Sequence, residues 1–332
     1  LGISADIDLF YTKAPAAARS DARRGTAGRI APTRAPFAYN EGMNAAFKTV
    51  GLIGKYKSPE IAAPLLKLGD FLEARGVRVI IDGLTAQHIG DNRFPVHTLE
   101  EIGRDAELAV VLGGDGTMLN IARVLAPFDV ALVGVNQGRL GFLTDISIDT
   151  MHETIGAILD GQCVTEERML VAAEVFSGGR KVFGVLAFND VVVSKGLKGS
   201  MIEFETKIDG RFLYALRGDG LLVATPTGST AYALSSGGPI IHPSLSAMAL
   251  VPICPHTFSS RPIVIGGDST VEITIRSAAD ARAHFDSHSH YDLSNGDRIV
   301  MRRYEHTIRL LHPAGHDYYR MLREKLHWTE FY

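Results

Sequence analysis

Four short runs of nearly pure apolar character, residues 50–54, 77–81, 108–112 and 130–135, constrain this chain more than any other feature. Each is too short to stand as a helix and lacks the polar alternation of a strand with one wet face. Such runs suit strands buried on both sides, which means a parallel sheet with helices above and below. The intervening segments can supply those helices. Ser58-Pro59-Glu60 reads as an N-cap, a first helical residue and an acid placed to complement the helix dipole. Ile61, Leu65, Leu68 and Leu72 then share one face, and Gly76 offers a left-handed stop. Further helical stretches fall at 118–125 and 148–159.

Beyond that point the pattern changes. Residues 201–209 alternate, with Ile202, Phe204, Thr206 and Ile208 on one side, and Asp209-Gly210 predicts a hairpin turn. Strands are expected over 182–193, 261–265, 270–276 and 298–311, with a last helix over 318–326. The expected division is an α/β domain over 43–146 and a β-rich, sandwich-like domain over 147–300. The segment 301–332 is expected to pack back on the first domain. Residues 1–42, rich in Ala, Arg and Pro and without apolar periodicity, read as a disordered extension or as translated leader ahead of Met43.

Length and composition exclude several function classes. A chain of 332 residues can form two ordinary domains. The net charge of -3 gives no electrostatic case for nucleic acid or an anionic membrane as partner. No apolar stretch is long enough to span a bilayer. Cys163 and Cys254 are too few for a disulfide framework and lack metal-ligand spacing, so a cytoplasmic home is expected.

Two segments carry chemistry. Gly113-Gly114-Asp115-Gly116-Thr117 lies directly after an apolar strand and directly before a helix, where α/β sheets gather ligands. Glycines there let backbone approach phosphate oxygens, and the helix start offers free N–H groups. A carboxylate repels phosphate, so Asp115 makes sense facing a hydroxyl or a metal ion; the plain alternative is a tight turn with an aspartate cap. Neither a P-loop nor the protein-kinase signatures are present, and the dinucleotide fingerprint lacks its third glycine. The second segment runs from Gly218-Asp219-Gly220 through an apolar strand into Thr225-Pro226-Thr227-Gly228-Ser229-Thr230, then Ala231-Tyr232-Ala233-Leu234-Ser235. Its hydroxyls could donate to ribose or phosphate, and Tyr232 offers a ring face. An N-capped helix after a proline turn accounts for the same letters.

Taken together, the motifs resemble the NAD kinases. Gly113-Gly114-Asp115-Gly116-Thr117, then Phe188-Asn189-Asp190-Val191-Val192, then Gly218 through Pro239 follow that family's order and spacing. Gly134-Val135-Asn136-Gln137-Gly138-Arg139-Leu140-Gly141-Phe142-Leu143 is similar to it as well. The likeness spans roughly residues 48 to 328. Gly-Gly-Asp-Gly-Thr alone is shared with diacylglycerol and sphingosine kinases, so a lipid kinase is the first rival. A non-catalytic NAD-binding regulator is the second.

The resemblance implies that Asp115 is the general base facing the 2′-hydroxyl of the adenosine ribose of NAD, beside Gly116. It implies further nucleotide contacts from Asn189, Asp190, Asp219, Thr230, Ala231, Tyr232, Ala233, Leu234 and Ser235, with Arg217 favouring the oxidised cofactor over NADH. Gly113, Gly114 and Thr117 would bind phosphate. ATP and NAD are the implied substrates, with Mg²⁺ or another divalent ion held mainly by the triphosphate rather than by a protein metal site. A homodimer or homotetramer is implied. His288 stands where the family commonly carries glutamine, which puts that contact in question. The histidines around it, His284 and His290, read as surface or loop residues rather than metal ligands.

Overall fold

The computed structural model describes residues 47–56, 58–90, 93–138, 140–196 and 199–328. The expected extension over 1–42 and Arg139 lie outside the described residues.

The apolar runs form parallel strands. β1 (Thr49–Gly54), β2 (Arg78–Asp82), the short β3 (Val96–His97), β4 (Leu108–Leu112) and β5 (Ala131–Asn136) lie in the order β3-β2-β1-β4-β5. Every residue of β1, β4 and β5 is buried, as strands covered on both faces must be. The covers are α1 (Ala62–Ala74), α2 (Gly83–Ile89), α3 (Leu99–Asp105), α4 (Asp115–Leu125) and, beyond β6 (Ile146–Ser147), α5 (Met151–Leu159). Gly76 ends α1 as expected: its φ is +78°, its N–H donates to the Glu73 carbonyl, and the Val77 N–H closes on Leu72. Ser58 departs from expectation. A 3-10 turn (Pro59–Ile61) precedes α1, and the Ser58 hydroxyl donates to Glu60 Oε1 at 2.5 Å instead of capping backbone.

A mostly β region follows. β7 (Cys163–Ser177), β8 (Arg180–Ala187), β9 (Asp190–Lys195), β10 (Ile202–Ile208), β11 (Arg211–Gly218) and β12 (Gly220–Ala224) come first. After α6 (Tyr232–Ser235) come β13 (Ala247–Ile253), β14 (Ile263–Gly266), β15 (Val271–Ser277), β16 (Ala281–Phe285), β17 (Ser289–Leu293) and β18 (Arg298–Pro313). The β10–β11 hairpin turns at Asp209 and Gly210, both left-handed, and it buries Ile202, Phe204 and Thr206 on one face. An antiparallel sheet ordered β14-β13-β12-β9-β16-β17 packs Val191, Val223 and Phe285 against Val171, Phe204 and Ile273 of the other sheet.

β18 joins the two regions. Its first half pairs antiparallel with β15 and β7, and Arg309 and Leu310 then run parallel beside Ala131 and Leu132 of β5. The last helix, α7 (Tyr318–Leu326), falls at its expected position, with the Tyr318 ring edge-on to His242 at 4.9 Å. Another expectation fails: 182–193 is not continuous. It breaks at Phe188 and Asn189 into β8 and β9, because backbone N–H groups there turn to a distant side chain. Among the described residues no helix is long and apolar enough to cross a membrane.

Candidate functional site

The first half of the site lies where β4 gives way to α4. The Gly113 N–H donates to the Val135 carbonyl at 2.8 Å, and Gly114 precedes the helix in extended backbone. A Cβ on Gly113 would stand 2.7 Å from the Thr117 hydroxyl, whereas one on Gly114 or Gly116 would meet nothing within 4 Å. The bend is therefore open on the side of Gly114 and Gly116, where free N–H groups can meet phosphate oxygens.

Asp115 begins the helix and does not point freely into solvent. Its Oδ2 accepts the Phe142 N–H at 2.8 Å, and its Oδ1 accepts the Leu143 N–H at 3.0 Å and the Thr144 hydroxyl at 3.2 Å. A Cβ on Gly141 would fall 2.0 Å from that Oδ1, and one on Gly134 would fall 2.3 Å from the Leu143 carbonyl. Both glycines are needed for the 141–144 loop to seat on β5 and close on the carboxylate. A carboxylate offers about four lone-pair directions. Three are taken, so roughly one is left, in a fixed orientation, for an incoming hydroxyl.

The second half is a pair of turns held by Asp286. Its Oδ2 accepts the Phe188 N–H at 2.7 Å, and its Oδ1 accepts those of Asn189 at 2.7 Å and Asp190 at 3.0 Å. Arg123 of α4 donates to Oδ2 at 3.2 Å, and the Asp286 side chain is fully buried. The helix that starts with Asp115 is thereby tied to the 188–190 turn. Asn189 in turn carries the 225–230 turn: its carbonyl accepts the Thr225 N–H at 2.8 Å, and a Cβ on Gly228 would fall 2.1 Å from it. Asp190 is buried, and burial first, the Asp286 charge second, pushes its carboxyl up to about 7.

The hydroxyl-rich run differs from expectation. Thr225, Thr227 and Ser229 are buried and committed within the protein. The Thr225 hydroxyl donates to the Phe188 carbonyl at 2.5 Å. Thr227 Oγ1 accepts from Arg168 at 3.1 Å. Ser229 Oγ donates to the Pro226 carbonyl at 2.6 Å and accepts the Ile241 N–H at 2.9 Å. The hydroxyls of Thr230 and Ser235 donate to the carbonyls of Thr227 and Tyr232. What the turn presents outward is chiefly the Tyr232 ring, 45% exposed, beside half-buried Ala231 and Leu234 and above buried Ala233.

Arg217 and Asp219 lie elsewhere. Asp190 pairs with Ala224 at one end of β12, and Ser194 pairs with Gly220 at the other. Asp219 precedes Gly220, so about five strand steps, roughly 17 Å, separate it from the Asp190 turn. There it pairs with Lys195 at 2.8 Å, and exposed Arg217 faces Glu203 at 3.8 Å. His288 follows the Asp286-Ser287 turn and is exposed; partial desolvation, then Arg123, hold its imidazole below the usual range. The groups that sequence reading left without a role are the Arg123 and Asp286 side chains and the donors of the 142–144 loop. Two strained positions, Asp286 and Ser287 at φ +50° and +54°, mark that turn, but letters alone give no sign of them.

Comparison with known proteins finds NAD kinases. Residues 50–163 match the ATP-NAD kinase N-terminal domain and residues 188–312 the ATP-NAD kinase C-terminal domain. The chain is 60% identical over 286 residues to an NAD kinase from Nitrosomonas europaea, covering 86% of this chain and 97% of that protein. An NAD kinase from Thiobacillus denitrificans is 52% identical over 286 residues, covering 86% and 99%. Among solved structures, an Archaeoglobus fulgidus NAD kinase in complex with ATP superposes with a TM-score of 0.65 at 26% identity, covering 84% of this chain and 98% of that one. Yeast NADH kinase complexed with NADH gives 0.81 at 24% identity, covering 91% and 94%, a likeness of fold.

Proposed function

The chain belongs to the ATP-NAD kinase family, and from that premise we propose that it transfers the γ-phosphoryl group of ATP to the 2′-hydroxyl of the adenosine ribose of NAD, making NADP. The observation that carries the assignment to a site is the Asp115 carboxylate, fixed by three donors and left with one free direction at an open glycine bend. The 2′-oxygen attacks the γ-phosphorus, the bond to the β,γ-bridging oxygen breaks, ADP leaves, and the hydroxyl proton passes to Asp115. Because the transition state is loose, positioning dominates and deprotonation is late. Asp115 needs to lie about 2.6–3.2 Å from the hydroxyl to orient it and take its proton.

The open N–H groups of Gly114 and Gly116, with Gly113 and Thr117 shaping the bend, are the proposed phosphate contacts. Asn189, Asp190 and the Ala231–Tyr232 face are the proposed dinucleotide contacts. With its carboxyl raised to about 7, Asp190 near neutral pH can donate as well as accept toward a ribose hydroxyl. Arg217 on β11 and Asp219 just before β12 lie at the far end of β12 from the Asp190 turn, too distant to join these contacts within one chain. If the protein is a homo-oligomer, they serve a nucleotide bound by a second copy.

A divalent ion enters as the companion of ATP. The nearest suitable oxygen ligands belong to Asp115, and three donors already occupy them, so the bend does not supply the several oxygens of a protein-built Mg²⁺ cage. The triphosphate would hold most of the ion, which would offset charge on the phosphoryl oxygens. A cytoplasmic setting, where both nucleotides occur, fits this chemistry.

Incubating the purified protein with ATP and NAD, and separately with ATP and diacylglycerol, tests the reading. NADP formation is expected. Lipid phosphate without NADP would end it, and NAD binding with no turnover would favour a regulator.

A further inference from the structure

Behind the two turns lies a buried polar chain that the proposed chemistry does not use. It starts at Asp145, the residue after Thr144, and hence at the root of the loop that grips Asp115. His312 of β18 points one ring nitrogen at Asp145 Oδ2, 2.9 Å, and the other at Glu166 Oε2, 3.2 Å. Arg168, beside Glu166 on β7, donates to that same Oε2 at 2.7 Å and to the Thr227 hydroxyl at 3.1 Å. Thr227 opens the turn that ends in Tyr232. His312, Asp145, Glu166 and Arg168 are all more than nine-tenths buried.

Charge decides what sits in the middle. Two carboxylates and one guanidinium leave one negative charge in a dry interior, where an unbalanced charge is costly. His312 supplies the missing positive charge if both its nitrogens carry protons, and each faces a carboxylate oxygen that can only accept. Burial favours the neutral ring, but Asp145 and then Glu166 outweigh it and raise His312 to about 9. Against their own burial, Glu166 is held at about 2 and Asp145 well below its usual range. The remaining titratable groups facing this chain are His316, whose Nδ1 donates to Asp145 at 2.9 Å, His242 and Tyr318. Asp145, His312 and His316 also have the spacing of a metal site. A ring donating from both nitrogens has no lone pair for a metal, and a divalent cation would leave the network over-charged.

We propose that His312 is a positioning residue for phosphoryl transfer: a buried imidazolium clamped between Asp145 and Glu166, it locks the loop that orients Asp115 to the turn that presents Tyr232. The assignment rests on the NAD kinase reading and on Asp115 as its base. The loop has a second anchor, since the Asn136 amide donates to the Thr144 and Ile146 carbonyls, so removing the clamp loosens the loop without dismantling it. Misplacement by about 1 Å is enough to cost about 100-fold in rate.

The test compares wild type with His312→Asn, each checked for folding by circular dichroism. The variant is expected to lose about 10- to 100-fold in kcat, with KM for ATP and NAD changed far less. Wild-type kcat should fall as pH rises through about 9, and the variant's low rate should lack that limb. Thr227→Val should lower kcat in the same sense, with Thr227→Ser restoring it. A folded His312→Asn retaining full kcat and the alkaline limb overturns the proposal. Titration of the His312 ring nitrogens by NMR in the wild-type chain decides its charge even if the variant does not fold. A doubly protonated ring through pH 8 supports the clamp, and a neutral ring below pH 7 refutes it. Stoichiometric zinc that survives dialysis against EDTA and is lost in His312→Asn would also refute it. A wild-type chain that makes no NADP fails the kinase reading instead, and the NMR titration still decides the clamp.

Discussion

Asp115 and Asp286 are made of the same parts, and the proposed chemistry gives them opposite work. Each is a carboxylate gripped by three donors from distant chain, the first from 142–144 and the second from 188–190. Asp286 also takes Arg123 and is sealed from solvent, so its capacity is spent on holding two turns to one helix. Among the described residues no cation pairs with the Asp115 carboxylate, which is half-buried and stands beside glycines whose outer face is open. Donors alone therefore do not mark an active carboxylate. What separates the proposed base from the structural acid is an unspent lone pair on a fixed side chain with an open approach.

If that contrast is right, substitution should split rate from stability. Asp115→Asn is expected to cut kcat by about 10²–10⁴ with NAD affinity broadly kept, measured by steady-state kinetics and NAD titration. Asp286→Ala leaves three N–H groups without their acceptor and the buried Arg123 guanidinium without its carboxylate, and should cost about 3–5 kcal/mol in denaturant unfolding. An Asp286→Ala protein as stable as wild type, or an Asp115→Asn protein with full rate, would break the comparison.

Asp190 sharpens it through pH. Its folded carboxyl is raised, so the folded protein keeps the proton after the unfolded chain has lost it. The stability this contributes is complete below about pH 4 and is lost as pH rises through about 7. Asp190→Asn should flatten that fall, worth at most about 4 kcal/mol, and unfolding curves at pH 4 and 8 would read it. A wild-type protein equally stable at both, once other groups are matched, contradicts the burial argument. Smaller still, Ser229→Ala strands the Ile241 N–H and should cost about 1–3 kcal/mol while leaving the KM for NAD nearly unchanged. A large KM effect would return that hydroxyl to the ligand.

Much of the architecture was legible because local physics decides it. The apolar runs became the parallel strands, Gly76 and Asp209-Gly210 took the backbone conformations expected of them, and the last helix fell at 318–326. β7 escaped notice because Glu166 and Arg168 interrupt its apolar pattern like surface residues, yet both are buried in the His312 network. The break at Phe188 depends on Asp286, nearly a hundred residues away. α3 carries a capping box, Thr98 with Glu101, that a search for apolar periodicity passes over. Of the proposed site, Asp115 and Asn189 are visible through motif, whereas the hydroxyls read as possible ligand donors are committed within the protein. Composition cannot tell a threonine that reaches outward from one that closes a turn.

The most direct measurement is a crystal structure of the protein with NAD bound. The account predicts the 2′-hydroxyl of the adenosine ribose about 2.6–3.2 Å from the Asp115 carboxylate, in the direction its three donors leave free. An adenosine ribose bound away from the glycine bend, with Asp115 still facing only its own loop, would contradict it.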